Sequence, residues 1–198
     1  GDSPTPSTRP TVMKIHSRIA FATLALLGAT ALGSAQIERL TLDQMVSKTD
    51  NSVVAEIVGR KVFRVDHPVD GDELYYTTLT LKGRSLVDGR NATVDVTFPG
   101  GFINAEEGVH NSEAPSADDI KVGNTVVAFY RWQDNMGGDV AGNGLYASHG
   151  GLYRTVEGPQ GLVVLGRGEG YALSSNRSLK DLDKAVTTIA QAKKQSLK

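Results

Sequence analysis

Residues 92–98 read Ala-Thr-Val-Asp-Val-Thr-Phe. In an extended chain Val94, Val96 and Phe98 fall on one face, and polar side chains alternate with them on the other. This alternation is typical of an antiparallel strand that buries one face and leaves the other in water. Residues 74–81 alternate in the same way, and an Asp-Gly pair, which favours a tight turn, precedes each stretch. Both stretches are therefore predicted to be strands of an antiparallel sheet.

Other segments are rich in the β-branched and aromatic residues that strands favour: residues 52–65, 124–132 and 162–165. Gly59 interrupts the first of these segments and predicts a bulge or a sharp bend. The tripeptide Gly-Leu-Tyr occurs at residues 144–146 and again at 151–153. We interpret its two copies as short strands that form the two arms of a hairpin.

Helices are predicted at both ends of this β-rich region. Thr41-Leu-Asp-Gln44 has the form of a capping box, so a short helix is expected to begin there and to end near Asp50. Ser178-Leu-Lys-Asp181 caps a second, amphipathic helix at residues 178–195. An isolated helix of that length is marginally stable in water, so we expect it to dock on the β body.

About six short strands and Gly-rich turns predict a mainly β fold. The expected architecture is a small antiparallel barrel of the oligonucleotide-binding-fold type. A two-sheet sandwich is the alternative. A short N-terminal helix precedes the strands, and a C-terminal amphipathic helix follows them.

The N-terminal region has the pattern of an export signal. Met13, Lys14 and Arg18 precede an uncharged apolar run, residues 19–32, and Gly33-Ser34-Ala35 supplies small residues for cleavage after Ala35. A transmembrane anchor is the alternative, but a span needs about 20 apolar residues. We interpret residues 1–12 as an upstream non-native or read-through leader and 13–35 as a signal peptide. Residues 36–198 then form a single β-rich domain without a membrane span.

Composition limits the kinds of function that are expected. The chain contains no cysteine, which excludes disulfides, thiolate metal sites and a cysteine nucleophile. The net charge is −1 for the whole chain and −3 without the first 35 residues, too mild to favour nucleic acid or an anionic membrane. We therefore predict an exported bacterial protein that is periplasmic or secreted.

Several short motifs lie between residues 40 and 165. They are Leu40-Thr-Leu-Asp-Gln-Met-Val-Ser47 leading into Ser52-Val-Val-Ala-Glu-Ile-Val-Gly59, then Tyr76-Thr77, Leu81-Lys82-Gly83, Pro99-Gly-Gly101 and Val126-Val-Ala-Phe129. In these motifs the chain resembles an uncharacterised domain of exported bacterial proteins. The resemblance implies a β-barrel-like exported domain, and it brings no activity and no catalytic residues.

A polar loop at residues 100–122 is the main candidate for function, because loops of this length in compact domains are functional or mobile. This segment, called the long loop below, and a Gly-rich segment after it contain the candidate binding residues: Glu106, Glu107, His110, Asp118, Asp119 and His149. A metal-dependent or carboxylate hydrolase that uses the long loop is therefore one hypothesis.

The sequence contains no histidine pair at helical metal-binding spacing and no Gly-x-Ser-x-Gly motif. The leading prediction is accordingly a non-catalytic binding or adaptor module of the cell envelope, with no catalytic residue, metal or cofactor. Its partner would be an unidentified envelope or extracellular component.

Aromatic residues allow one further interpretation. Tyr130, Trp132, Tyr146 and Tyr153 could stack on nucleobases, with Arg131 and Arg154 as cations, or they could fill and edge the β core. The negative net charge and the predicted export both oppose the first interpretation. We expect no nucleic acid partner.

Overall fold

The structure, a computed structural model, describes residues 39–198. The predicted leader, the signal peptide and the cleavage position at Ala35 lie outside the described residues. In chain order the helices and strands are α1 Leu42–Lys48, β1 Asn51–His67, β2 Gly71–Ser85, β3 Asn91–Pro99, β4 Gly101–Phe102, β5 Gly108–Val109, β6 Thr125–Gln133, β7 Gly142–Leu145, β8 Leu152–Gly158, β9 Gly161–Val164, β10 Arg177–Ser178 and α2 Leu179–Ser196.

Five strands close into a barrel. They are hydrogen-bonded in the order β1-β2-β3-β7-β6, and β6 pairs back with β1 from Glu56↔Thr125 to Asn51↔Tyr130. Neighbouring strands are antiparallel except β3 and β7, which are parallel where Thr97 faces Gly144. The closed barrel confirms the mainly β prediction and decides against the sandwich.

The hairpin of β1 and β2 forms a long wall of the barrel, and two glycines shape it. The register shifts between Ile57 and Gly59, which confirms the bulge predicted there. Gly83 lies inside β2, which continues to Ser85. A Cβ at Gly83 would collide with the Val54 carbonyl oxygen. Glycine at this position therefore allows β1 and β2 to approach closely within the sheet.

Strands β7 and β8 are not the two arms of a hairpin, so that prediction is wrong. Both pair with β6 and both run antiparallel to it: Tyr130 faces Leu145 and Ala128 faces Leu152. A short 3-10 turn at Ser148–Gly151 joins them. They therefore lie one after the other along the same edge of β6. The first copy of the tripeptide lies before this 3-10 turn, the second begins at its last residue, and the chain does not reverse its direction between them.

Strand β6 buries both of its faces. Val126, Ala128 and Tyr130 lie in the core inside the barrel, together with side chains such as Leu79, Leu81, Val96 and Phe98. Val127 and Phe129 lie in a second core outside the barrel. This explains why the segment is a continuous apolar run instead of an alternating one, since strands covered on both faces have that pattern.

The two helices cover the outer core. Met45 and Val46 of α1 and Leu182, Val186 and Ala190 of α2 are buried there. The capping box at Thr41 is present, and the Ser178 hydroxyl accepts a hydrogen bond from the Asp181 backbone N–H at 3.1 Å. The predicted caps and the docking of α2 are thus confirmed. Over residues 39–198, neither helix has the length and apolarity needed to cross a membrane.

Buried tyrosines make the fold sensitive to alkaline pH. Burial raises the pKa of Tyr76, Tyr130 and Tyr153 above the ordinary value of 10.0. The folded state therefore holds these phenolic protons more tightly than the unfolded chain does. Their stabilising contribution is complete below pH 10 and is lost as the pH rises through the raised values.

We expect the urea midpoint to fall as the pH is raised above about 10, the value at which unfolded tyrosines ionise. Tyr153→Phe should make this decline shallower because it removes one of the titrating hydroxyls. A midpoint that falls equally in both proteins would contradict the assignment to Tyr153.

Candidate functional site

The long loop is fixed to the barrel wall at its beginning. Gly101 has a φ of +130°, and a Cβ there would press on the side chains of Thr77 and Val62. The Thr77 hydroxyl donates a 2.7 Å hydrogen bond to the Gly100 carbonyl. Strands β4 and β5 then form a small hairpin. The loop therefore begins against the inner face of β1 and β2.

The end of the long loop is held by a buried residue and an ion pair. Ile120 is packed in the core inside the barrel. Asp119 Oδ2 accepts a hydrogen bond from Arg167 Nη2 at 3.0 Å, with side-chain exposures of 13% and 22%. The guanidinium of Arg167 also donates to the Leu152 carbonyl and lies over the Tyr153 ring. This pair connects the loop to β8 and to the segment before α2.

Between these two anchors the long loop covers an open cavity of about 600 Å³. One wall consists of the inner faces of β1, β2 and β3, and the other is the loop itself. Most of the lining is apolar: Val62, Phe98, Phe102, Val109, Pro115 and Ile120. Phe102 and Val109 lie on the β4–β5 hairpin and are about half exposed, at 51% and 46%.

The polar side chains that line the cavity belong to Arg60, Thr77, His110, Asn111, Ser112 and Ser116. Asn111 is satisfied internally, since its amide donates to the Pro99 carbonyl and its side-chain oxygen accepts from the Glu113 N–H. Arg60 and His110 also line the cavity, and both are exposed. Among residues 39–198, neither of these two side chains has a hydrogen bond or ion pair. The cavity thus combines an apolar interior with two unpaired nitrogen-bearing groups.

The bulge at Gly59 accounts for the position of Arg60. Up to Ile57, the odd-numbered residues of β1 face the barrel interior. The bulge adds one residue to β1 and reverses this alternation, so beyond Gly59 the even-numbered residues face the interior. Arg60 then stands opposite Leu79, and Val62 stands opposite Thr77. Since directly opposite residues of a sheet point to the same face, Arg60 and Val62 share the inner face with the buried Leu79. The candidate binding residues predicted from the sequence did not include Arg60, Val62 or Arg167.

The structure disperses the residues that were predicted as a site. Of the six, His110 lies at the cavity. The ring nitrogens of His149 are engaged elsewhere: Nδ1 is 2.9 Å from the Glu113 carbonyl oxygen, and Nε2 is 2.8 Å from the Tyr171 hydroxyl. His110 and His149 are therefore not brought together.

The predicted carboxylates are separated as well. Asp118 pairs with Lys121 at 3.0 Å, and that hydrogen bond holds the pKa of Asp118 below its ordinary value. Asp119 is paired with Arg167, as described above. Glu107 lies 3.5 Å from the Tyr75 hydroxyl, and Glu106 is exposed. Within the described part of the chain, no three His, Asp or Glu side chains are arranged to hold a metal ion.

The aromatic residues considered for stacking do not form one exposed surface. Tyr130 and Tyr153 are buried, with exposures of 7% and 0%. Tyr146 is half-buried, and the Arg131 guanidinium lies 5.0 Å from the centre of its ring. Trp132 is exposed, and its indole N–H donates to Asp134 at 2.9 Å. The two buried rings belong to the cores, which corresponds to the second interpretation given above.

No family model, curated protein or solved structure matches this chain. The expected membership of an exported bacterial family therefore stays a prediction. The function has to be argued from the geometry of the cavity itself.

Proposed function

We propose that the protein is a non-catalytic binding module that holds a small, largely apolar molecule in the cavity beneath the long loop. The cavity itself carries this proposal. Its volume of about 600 Å³ lies within the range of about 300–1,000 Å³ that is usual for small-molecule sites. Such sites combine a mainly apolar lining with a few polar groups, and the mouth of a β-barrel is one of their common locations.

The rim of the cavity supports the same proposal. Phe102, Ile103 and Val109 expose 51%, 45% and 46% of their surface on or beside the β4–β5 hairpin. Grouped apolar side chains at the surface of a protein are a common mark of a binding site. An apolar ligand in the cavity would cover part of this surface and remove it from water, which is favourable.

We further propose that the barrel is of the oligonucleotide-binding type. Its five-stranded closure with a parallel contact between β3 and β7 supports this. In such barrels, ligands bind to the face of the second and third strands, to the loop that joins strands 1 and 2, and to the loop that joins strands 4 and 5. In this protein these are the β1–β2 loop and the β6–β7 loop. Here the corresponding loops are bonded to each other: His67 Nε2 lies 2.9 Å from Asp139 Oδ2, and Asp70 accepts from the Gly138 N–H at 2.7 Å. This contact favours the inner cavity as the ligand site.

A titration with N-phenyl-1-naphthylamine, an uncharged probe whose fluorescence rises in apolar surroundings, tests the proposed function. The purified protein should give a saturable increase with one site per chain, and n-dodecanol should displace the probe. Fluorescence that rises without saturation, or that n-dodecanol does not reduce, would oppose a defined site.

We also propose that this module acts outside the cytoplasm of a bacterium, in the periplasm or the medium, on an envelope or extracellular component. The signal-like pattern of residues 13–35 and the lack of cysteine support this location.

Expression of the full chain in a Gram-negative host tests export. We expect a periplasmic product whose mass corresponds to residues 36–198, because cleavage follows Ala35. Leu26→Arg places a charge in the apolar run and should leave the full-length chain in the cytoplasm. Leu197→Arg makes the same exchange at a position that is 79% exposed and should not affect export. A Leu26→Arg protein processed like the wild type would argue against the signal peptide.

A further inference from the structure

We infer that the ligand carries a carboxylate, and that Arg60 and His110 bind this group at the edge of the cavity. This inference rests on the proposed function and specifies the class of ligand. The ligand would be a free carboxylic acid with an apolar chain or ring, the apolar part lying between the long loop and the inner face of β1–β3.

The first argument is the charge of the cavity. Its lining includes one arginine and one histidine, and it includes no aspartate or glutamate. A cationic group beside an apolar cavity is not neutralised there by the protein itself. A ligand with a negative head group would complete the site electrostatically, whereas an ammonium head group would meet Arg60 without a counter-charge.

The second argument is that Arg60 combines the lack of a partner among the described residues with a position on the inner face of the barrel wall. Arg64, Arg84 and Arg167 each contact an aspartate within 3.0 Å. Arg60 has no such partner among residues 39–198, and the bulge at Gly59 places it on the inner face of β1, where it lines the cavity. Its planar guanidinium matches the two oxygens of a carboxylate, which it can bind through two parallel hydrogen bonds.

The third argument is the composition of the head-group site. The imidazole of His110 can donate a hydrogen bond in either protonation state, and it has no partner of its own among the described residues. The guanidinium supplies one permanent positive charge, and the imidazole supplies a hydrogen-bond donor. A carboxylate carries one negative charge at neutral pH, and a phosphate monoester carries nearly two, so this site fits a carboxylate better.

Matched ligands test the inference. Dodecanoate, n-dodecanol and dodecyl phosphate share one apolar chain and differ in the head group. We expect the wild type to bind dodecanoate about tenfold more tightly than n-dodecanol, which is the usual strength of one charge-assisted hydrogen bond. Arg60→Gln should remove this preference and retain n-dodecanol binding, which also shows that the variant is folded.

Lys61→Gln is the control for general electrostatics. Lys61 is the next residue of β1, so it points to the opposite face, and its replacement removes the same charge. It should leave the dodecanoate preference unchanged. His110→Leu removes the imidazole donor and should weaken dodecanoate binding more than n-dodecanol binding.

The outcomes separate this inference from the proposed function. If n-dodecanol binds but dodecanoate binds no better, or if Arg60→Gln and Lys61→Gln have equal effects, the carboxylate inference is wrong and the binding module stands. Tighter binding of dodecyl phosphate than of dodecanoate would also overturn the carboxylate assignment. If none of the three ligands binds, the proposed function fails and the inference fails with it.

Discussion

Arg167→Met is expected to lower the free energy of unfolding by about 3 kcal/mol, at the lower end of the cost of breaking a buried ion pair. The substitution keeps the aliphatic volume near Tyr153 but removes the guanidinium. Asp119, whose side chain is 13% exposed, would lose its cationic partner, and the Leu152 carbonyl would lose its donor. The lower end of the range applies because Arg167 remains 22% exposed, so water screens part of the charge.

Urea unfolding followed by circular dichroism measures this effect, and Lys121→Met is the matched control. It breaks the Asp118–Lys121 pair, whose side chains are 73% and 67% exposed, at the same end of the long loop. Exposed pairs contribute less than about 1 kcal/mol, so the control should lose little stability. Equal losses in the two variants would show that the Asp119–Arg167 pair does not fix the loop.

Ala117→Trp is expected to weaken binding of the uncharged fluorescent probe by about 10- to 100-fold. Ala117 lines the cavity and is exposed, so a larger side chain has space to enter the cavity. Excluding about 100 Å² of apolar contact at about 25 cal/mol per Å² removes about 2.5 kcal/mol of binding free energy. The fold should be retained because the added ring occupies space that is not filled by the protein.

Ala105→Trp makes the same exchange elsewhere in the long loop. Ala105 is exposed and is not part of the cavity lining, so probe affinity should stay within about twofold of the wild type. Loss of affinity in both variants would indicate a general effect on the loop. Unchanged affinity in both would place the probe outside the cavity.

Much of the fold could be predicted because its signals are local. The alternation of Val94, Val96 and Phe98 reports the two faces of one strand, and the cap at Thr41 reports one helix end. The relation between β7 and β8 could not be predicted in this way. Both strands pair with β6: Tyr130 faces Leu145, and Ala128 faces Leu152. Their relation therefore depends on pairings between residues that are not neighbours in the sequence.

In the candidate site, too, local features could be predicted and features that depend on distant contacts could not. The length and polarity of residues 100–122 singled out the loop that covers the cavity, and His110 of its lining was among the candidate residues. Arg60 was missed because its position depends on how the bulge at Gly59 shifts the register against β2. Arg167 was missed because its partner Asp119 is 48 residues away. His149 was grouped with His110, but its ring contacts Tyr171 instead.

Methyl NMR of the protein titrated with n-dodecanol tests the central claim most directly, because it reports where an apolar molecule binds whatever its head group. Val62, Val109 and Ile120 line the cavity, whereas Val69 and Val156 are exposed and lie outside its lining. Our account predicts saturable shifts of the first three and no shift of the last two. Shifts at Val69 and Val156 with none at Val62 and Ile120, or no saturable shift at any of them, would contradict it.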